Sequence, residues 1–306
     1  MRVLVTGATG FTGSWVVPLL IPKVQVRCLI RPGSEDKKGE RNGVEWVWGD
    51  LSDEDSLARA MEGMDCLVNI ASLGFGHAPG LVRAALRAGV KRAIFISTTA
   101  IFTALNVPSK AVRLAAEEVI EKSGLDYTIL RPTMIYGDSR DRNMCRLIHY
   151  LRRWPVLPIP GSGEHRFQPV YVEDVARAVV SCLYVDQTRK KSYNLPGGNA
   201  LTFREAVNTI CRQLGRKVRP LSFPASPLIF FLSFLEKINF RLPLRAEQVR
   251  RLNEPKVFDF TEAGRDFGYQ SRSFEEGIFR ELREMGLAGG GRRISPKESY
   301  WESVIP

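Results

Sequence analysis

The stretch Arg2-Val3-Leu4-Val5-Thr6-Gly7-Ala8-Thr9-Gly10-Phe11-Thr12-Gly13 decides the fold. A short run of β-formers reads as a strand, and glycines at 7, 10 and 13 follow it at once and open into an apolar stretch of helical period. Glycines so placed permit a tight turn, let backbone approach a pyrophosphate and let the helix pack close to the sheet. The helix N-terminus then offers free N–H groups to the anion. The loop reads as a dinucleotide site, with Gly7, Thr9, Gly10, Phe11, Thr12 and Gly13 as its contacts.

Working outward, β-branched apolar runs predict strands at 2–5, 24–30, 44–48, 66–70, 92–97 and 126–130, and helical stretches fall near 11–21, 53–62, 79–88 and 107–122. Strands apolar on both faces and separated by helices imply an α/β fold, a doubly wound parallel-sheet Rossmann domain. Ligands of such a sheet bind at the carboxyl ends of its strands. After residue 137 the pattern changes to a basic stretch, a Pro/Gly turn region and mixed short elements. We assign 1–137 to the Rossmann core, with segments near 165–185 returning to it, 138–288 mainly to a smaller C-terminal α+β substrate-binding cap, and 289–306 to a flexible tail.

With 44% hydrophobic and 25% charged residues the 306-residue chain can bury a large core, which excludes a disordered protein. Forty-four basic against 33 acidic side chains give a net charge of +11, which favours anionic ligands or surfaces. The five cysteines stand far apart with no metal-ligand spacing, and read as buried thiols of a reducing compartment. The longest apolar run, Pro227 to Leu235, is far below the roughly 20 residues that span a bilayer. The expected location is cytoplasmic, with at most peripheral membrane contact.

The second strand ends in Leu29-Ile30-Arg31, 18 residues after Gly13, where a dinucleotide fold meets the adenosine ribose. An acid there would accept a hydrogen bond from a free 2′-hydroxyl, whereas Arg31, with Lys37 and Lys38 nearby, offers charge to a 2′-phosphate. NADP is expected in preference to NAD.

These residues resemble the short-chain dehydrogenase/reductase superfamily, in the extended and atypical branches that include NAD-dependent nucleotide-sugar epimerases and dehydratases. The resemblance runs through most of 1–200: the glycine loop at 6–13, Gly49-Asp50-Leu51, Asn69-Ile70-Ala71, Ser97-Thr98-Thr99, Ser109-Lys110, Arg131-Pro132-Thr133-Met134-Ile135-Tyr136-Gly137 and Val170-Tyr171-Val172-Glu173-Asp174-Val175-Ala176. It implies that Asp50 and Leu51 meet the adenine, that Ala71, Ser97, Pro132 and Thr133 face the cofactor, and that Lys110 binds the nicotinamide ribose. The implied function is an epimerase/dehydratase or reductase acting on a nucleotide-sugar or a small carbonyl or hydroxyl compound.

One position departs from the pattern. Active members carry a tyrosine four residues before the lysine to exchange a proton with substrate, and here that position is Asn106. Asparagine is neither acid nor base. Thr99 and Lys110 remain from the catalytic set, and no tyrosine precedes Tyr127. A relocated acid/base could come from Tyr136, His77 or Tyr171, or the protein binds the dinucleotide without turnover, resembling the reductase-like accessory subunit of respiratory complex I.

Five arginines between 140 and 153, against the one acid Asp141, suggest a clamp for a diphosphate. Arg142 and Asn143 of this stretch, Arg166 further on and His77 in the loop after the fourth strand are the expected substrate contacts. Nucleic acid is disfavoured, since no exposed-looking aromatic residues interleave with the arginines and no nucleic-acid module is recognisable. Ser226 to Lys237 is apolar nearly all round and predicts a buried helix. The alternative is a surface helix that docks on a membrane or partner, with Lys237, Arg241 and Arg245 toward anionic headgroups.

Overall fold

The structure is a computed structural model that describes residues 1–34, 42–237 and 246–287. Lys37, Lys38, Arg241, Arg245 and the 289–306 tail lie outside the described residues. The first half alternates β1 (Arg2–Thr6), α1 (Gly13–Leu20), β2 (Gln25–Ile30), β3 (Val44–Trp48), α2 (Glu54–Met61), β4 (Cys66–Asn69), α3 (Ala78–Arg87), β5 (Arg92–Ile96), α4 (Pro108–Glu121) and β6 (Asp126–Pro132). Each lies within two residues of its expected span. Local chemistry sets the boundaries: the Asp53 side chain accepts hydrogen bonds from the N–H groups of Asp55 and Ser56 to start α2, and α3 and α4 both begin with proline in the first turn.

The second half comprises β7 (Ile135–Tyr136), α5 (Met144–Arg153), β8 (Val156–Pro160), β9 (Arg166–Phe167), β10 (Val170–Tyr171), α6 (Val172–Tyr184), β11 (Lys191–Leu195), β12 (Leu201–Thr202), α7 (Phe203–Gln213), β13 (Arg219–Phe223), α8 (Ala225–Lys237), α9 (Ala246–Leu252), α10 (Thr261–Phe267) and α11 (Phe274–Glu284). The main sheet has seven parallel strands in the order β11-β6-β5-β4-β1-β2-β3. From β1 the chain winds outward to β2 and β3, then crosses back to β4 on the other side of β1. The crevice between β1 and β4 is therefore the topological switch point. The chain also returns to the sheet as β11, beyond the 165–185 segment expected to come back.

Every residue of β4 and β5 is buried, as a central parallel strand requires. One face of the sheet is covered by Val16, Val17 and Leu20 of α1 and Val175 and Val179 of α6, and the other by Leu57 and Met61 of α2, Leu81 and Ala85 of α3 and Ile120 of α4. A separate apolar cluster holds the cap, with Ile148, Leu151, Ile159, Val207, Ile210, Ile278 and Tyr136 at its centre. Cap and sheet are tied by Arg272, whose guanidinium pairs with Glu173 at 2.9 Å and Asp174 at 2.7 Å in the first turn of α6 and lies 4.6 Å over the Tyr171 ring. All five cysteines are buried and none of them forms a disulfide.

The segment expected to be a buried helix forms α8 but stays on the surface. Leu232 is buried against α9, while Phe230, Phe231 and Phe234 are 77%, 55% and 55% exposed. A short helix that is apolar all round has more apolar faces than its one neighbour can cover.

Candidate dinucleotide site and adjoining cleft

The glycine loop is shaped by three steric demands. Gly7 sits in the left-handed region at φ +71°, and a Cβ there would lie 2.7 Å from the Ala71 nitrogen. A Cβ at Gly13 would lie 2.2 Å from the Gly7 carbonyl oxygen, so only glycine lets α1 close on the loop. At Gly10 the nearest atom to an added Cβ is that same oxygen, at 3.2 Å, and the residue is exposed. The space beside Gly10 thus opens outward, where an anion would approach the start of α1.

Behind the loop, the Thr6 hydroxyl donates to Asn69 Oδ1 at 2.7 Å, and Asn69 Nδ2 donates to the Ala71 carbonyl at 3.0 Å. Asn69 thereby fixes the backbone against which Gly7 rests. Ala71, Ser97, Pro132 and Thr133 line up at the carboxyl ends of β4, β5 and β6 along the same edge. The Ser97 hydroxyl is buried with no hydrogen-bond partner among the described residues, an orphaned polar group on the edge where the dinucleotide would lie. Glycine cradle, open helix N-terminus and orphaned hydroxyl together fit a dinucleotide.

At the adenosine end, Asp50 accepts hydrogen bonds from the hydroxyl and N–H of Ser52, at 2.6 and 2.8 Å, with Leu51 beside it. Those bonds, and then the charges of Arg31 and His77, hold the Asp50 carboxyl below its usual range. Arg31 is exposed at the end of β2. His77, expected on the substrate side, belongs to this end. It opens α3, and α3 is held to α2 by the Arg83–Glu54 and Arg87–Asp55 ion pairs at 2.7 Å each, which carries it toward the β3 side of the sheet.

Beyond the far end of the edge lies a cavity of about 160 Å³ between the sheet and the cap, lined by Thr99 and Thr133 from the sheet and by His165, Arg251, Glu254 and Lys256 from the cap among its polar groups. Met134, Phe167, Phe203 and Leu252 supply apolar walls. The Thr99 hydroxyl makes a long 3.4 Å hydrogen bond to the Pro132 carbonyl. Lys256 donates to the Arg251 carbonyl, and burial pushes its ammonium below the usual lysine range. Burial alone would raise the Glu254 carboxyl, but hydrogen bonds from Thr103 and Ala104 and the charge of Lys256 hold it low.

The other expected catalytic groups are not assembled at this cavity. Asn106 is exposed on the loop before α4, and Lys110 Nζ donates to the Thr103 carbonyl at 2.6 Å. Tyr136 is a correction to the sequence reading. It is 1% exposed and packs on Tyr171 and Phe274, and a Cβ at Gly277 would lie 1.9 Å from its hydroxyl. Burial, with Asp174 and Glu281 nearby, drives that phenol well above its ordinary value, and its hydroxyl lies in the cap core and does not line the cavity. Tyr171 is sealed in the same way beneath Arg272.

The expected substrate contacts disperse too. Asp141 accepts hydrogen bonds from the N–H groups of Asn143, Met144 and Cys145 at 2.7, 2.7 and 2.9 Å, which makes it the cap of α5 and leaves Arg142 and Asn143 exposed. Arg166 is exposed and donates to the Ala200 carbonyl at 3.0 Å, while its neighbours His165 and Phe167 line the cavity. None of His77, Arg142, Asn143 and Arg166 does so. Sequence reading missed His165, Glu254 and Lys256. For the latter two no local signal existed, because they follow the last strong motif by some eighty residues.

A model of proteins described as NAD(P)H-binding matches residues 7–185, more than half of the chain. The chain belongs to this NAD(P)H-binding family. Among relatives of this NAD(P)H-binding protein, subunit 9 of the NADH dehydrogenase (ubiquinone) 1 alpha subcomplex, mitochondrial, from Arabidopsis thaliana is 29% identical over 269 residues, which are 78% of this chain and 65% of that one. The photosystem II assembly factor Ycf39 of Synechocystis is 25% identical over 247 residues, 76% of this chain and 74% of that one. A UDP-glucuronic acid 4-epimerase from Bacillus cereus, solved with UDP-glucuronic acid and NAD, has the same fold at a TM-score of 0.73 and 18% identity, covering 93% of this chain and 98% of that one. The NAD(P)H-binding protein is thus a Rossmann protein with structural neighbours among the NAD-dependent epimerases and dehydratases.

Proposed function

We propose that this chain is an NADP(H)-binding protein that holds its dinucleotide along the strand edge and does not carry out the epimerisation chemistry of its structural neighbours. One observation carries the reading: the cofactor edge is intact from Gly7 to Ser97, while Asn106 occupies the tyrosine position and Tyr136 and Tyr171 are sealed in the cap. When bound, the dinucleotide would supply hydride chemistry. Gly7, Gly10 and Gly13 would admit its pyrophosphate, Arg31 its 2′-phosphate and Ser97 a polar group near the nicotinamide half. The cavity of about 160 Å³ is also small beside the roughly 300–1,000 Å³ of ordinary ligand pockets, which argues against a nucleotide-sugar.

The test is to titrate NADPH and NADH by fluorescence, then follow nicotinamide absorbance with sugars and small carbonyl compounds for the wild type and for Asn106→Tyr. Tight binding with no turnover in the wild type is expected, and robust wild-type turnover overturns the reading. A second reading, reduction of a small carbonyl compound, is favoured by Thr99 and Lys256 facing one cavity. On that reading Lys256→Met abolishes turnover while leaving NADPH affinity unchanged.

A further inference from the structure

The outer layer of the cap is a two-stranded parallel ribbon of β8 and β13, in which Val156 pairs with Arg219, Pro158 with Leu221 and Pro160 with Phe223. Its inner face puts Leu157 and Ile159 into the cap core. Its outer face presents Val156, Leu221 and Phe223 to solvent, and Trp154, 50% exposed, leads into it. The chain passes directly from Phe223 into α8 with its three exposed phenylalanines. Singly exposed apolar residues need no explanation, but seven large ones on consecutive surface elements do.

A cluster of cations flanks one end of this apolar ridge, where β8 and β13 begin. Arg152 and Arg153 are exposed at the end of α5, with Arg153 5.7 Å over the Trp154 ring. Arg216, Lys217 and Arg219 line an open groove of about 540 Å³ beside Pro155. Among the described residues no carboxylate pairs with any of these five, whereas Arg212 in the same groove pairs with Glu275 at 2.9 Å. Aromatic and aliphatic side chains flanked by unpaired cations are complementary to a surface that is anionic outside and apolar beneath.

We propose that this face of the cap docks on an anionic lipid bilayer, with Phe230, Phe231, Phe234 and Leu221 entering the acyl boundary and Arg216, Lys217 and Arg219 meeting headgroup phosphates. The proposal does not rest on the reading of the dinucleotide site. The full chain is sedimented with vesicles of phosphatidylcholine alone and with vesicles containing about a third phosphatidylglycerol, at about 0.1 M salt, where the screening length is about 10 Å. At least about tenfold more protein should pellet with the anionic vesicles, and most of it should be released at about 0.5 M salt.

Two sets of surface substitutions, Arg216→Glu with Lys217→Glu and Phe230→Ser with Phe234→Ser, should each lower the bound fraction about tenfold, with NADPH affinity and the melting temperature unchanged. Equal pelleting with neutral and anionic vesicles overturns the proposal. So does wild-type vesicle binding by either variant set. A concentration-dependent dimer that the phenylalanine substitutions dissociate, with no vesicle binding, would assign the face to a second copy of the chain instead.

Discussion

A Cβ at Gly10 meets only the Gly7 carbonyl at 3.2 Å, whereas at Gly7 or Gly13 it would collide with backbone. Substitution at Gly10 therefore separates ligand binding from folding, as substitution at its two partners cannot. Gly10→Val should weaken NADPH binding by about a hundredfold or more while the melting temperature without ligand moves by only a few degrees, read by thermal shift with and without NADPH. Arg31 is exposed and close enough for its charge to act on Asp50. As a solvent-screened contact to a phosphate it should give NADPH about a tenfold advantage over NADH. In Arg31→Ala that advantage should vanish with NADH affinity unchanged, and equal affinities in the wild type would refute it.

The loop between β5 and α4 carries Asn106 and ends at Lys110, and the cap holds it from the opposite side. Glu254 accepts hydrogen bonds from the Thr103 hydroxyl and the Ala104 N–H at 2.6 Å each, while Lys110 donates to the Thr103 carbonyl. A partly buried carboxylate accepting two such bonds contributes on the order of 1–2 kcal/mol once solvent screening is allowed for. Glu254→Ala should cost that much in urea unfolding and should speed amide exchange at Ala104 selectively. Because the Glu254 carboxyl is held below its ordinary 4.5, its contribution is present above that pH and is lost as pH falls further. The variant should therefore lose less stability than the wild type on acidification through that range.

Across the whole molecule, the least expected titratable group is Glu281 of α11, fully buried beneath the α5 cap. Burial, then Asp141 and Asp138, push its carboxyl from 4.5 up to about 10, so it is protonated at neutral pH. A group whose folded value is raised contributes fully below its unfolded value and loses that contribution as pH rises toward the folded one. Stability should therefore decline between about pH 4.5 and 10, by at most about 1.4 kcal/mol per pH unit from this group. Glu281→Gln, which mimics the protonated form, should flatten that slope and raise the melting temperature at pH 8. An unchanged pH profile would show that Glu281 ionises freely.

The sequence by itself determined the first six strands of the parallel sheet and the dinucleotide loop, because those depend on local rules: strand period, helix starts and the few conformations open only to glycine near Gly7 and Gly13. It also determined that the usual proton donor is missing, since Asn106 is a matter of identity and spacing. What filled the cleft was decided only by tertiary structure. Whether Tyr136 faces a substrate or the cap core depends on where α11 packs, and whether Lys256 shares a cavity with Thr99 depends on how the fold brings together segments more than 150 residues apart, which no local period encodes. The same holds for α8. Its apolarity was legible, but its exposure depends on how much neighbouring surface the fold brings to cover it.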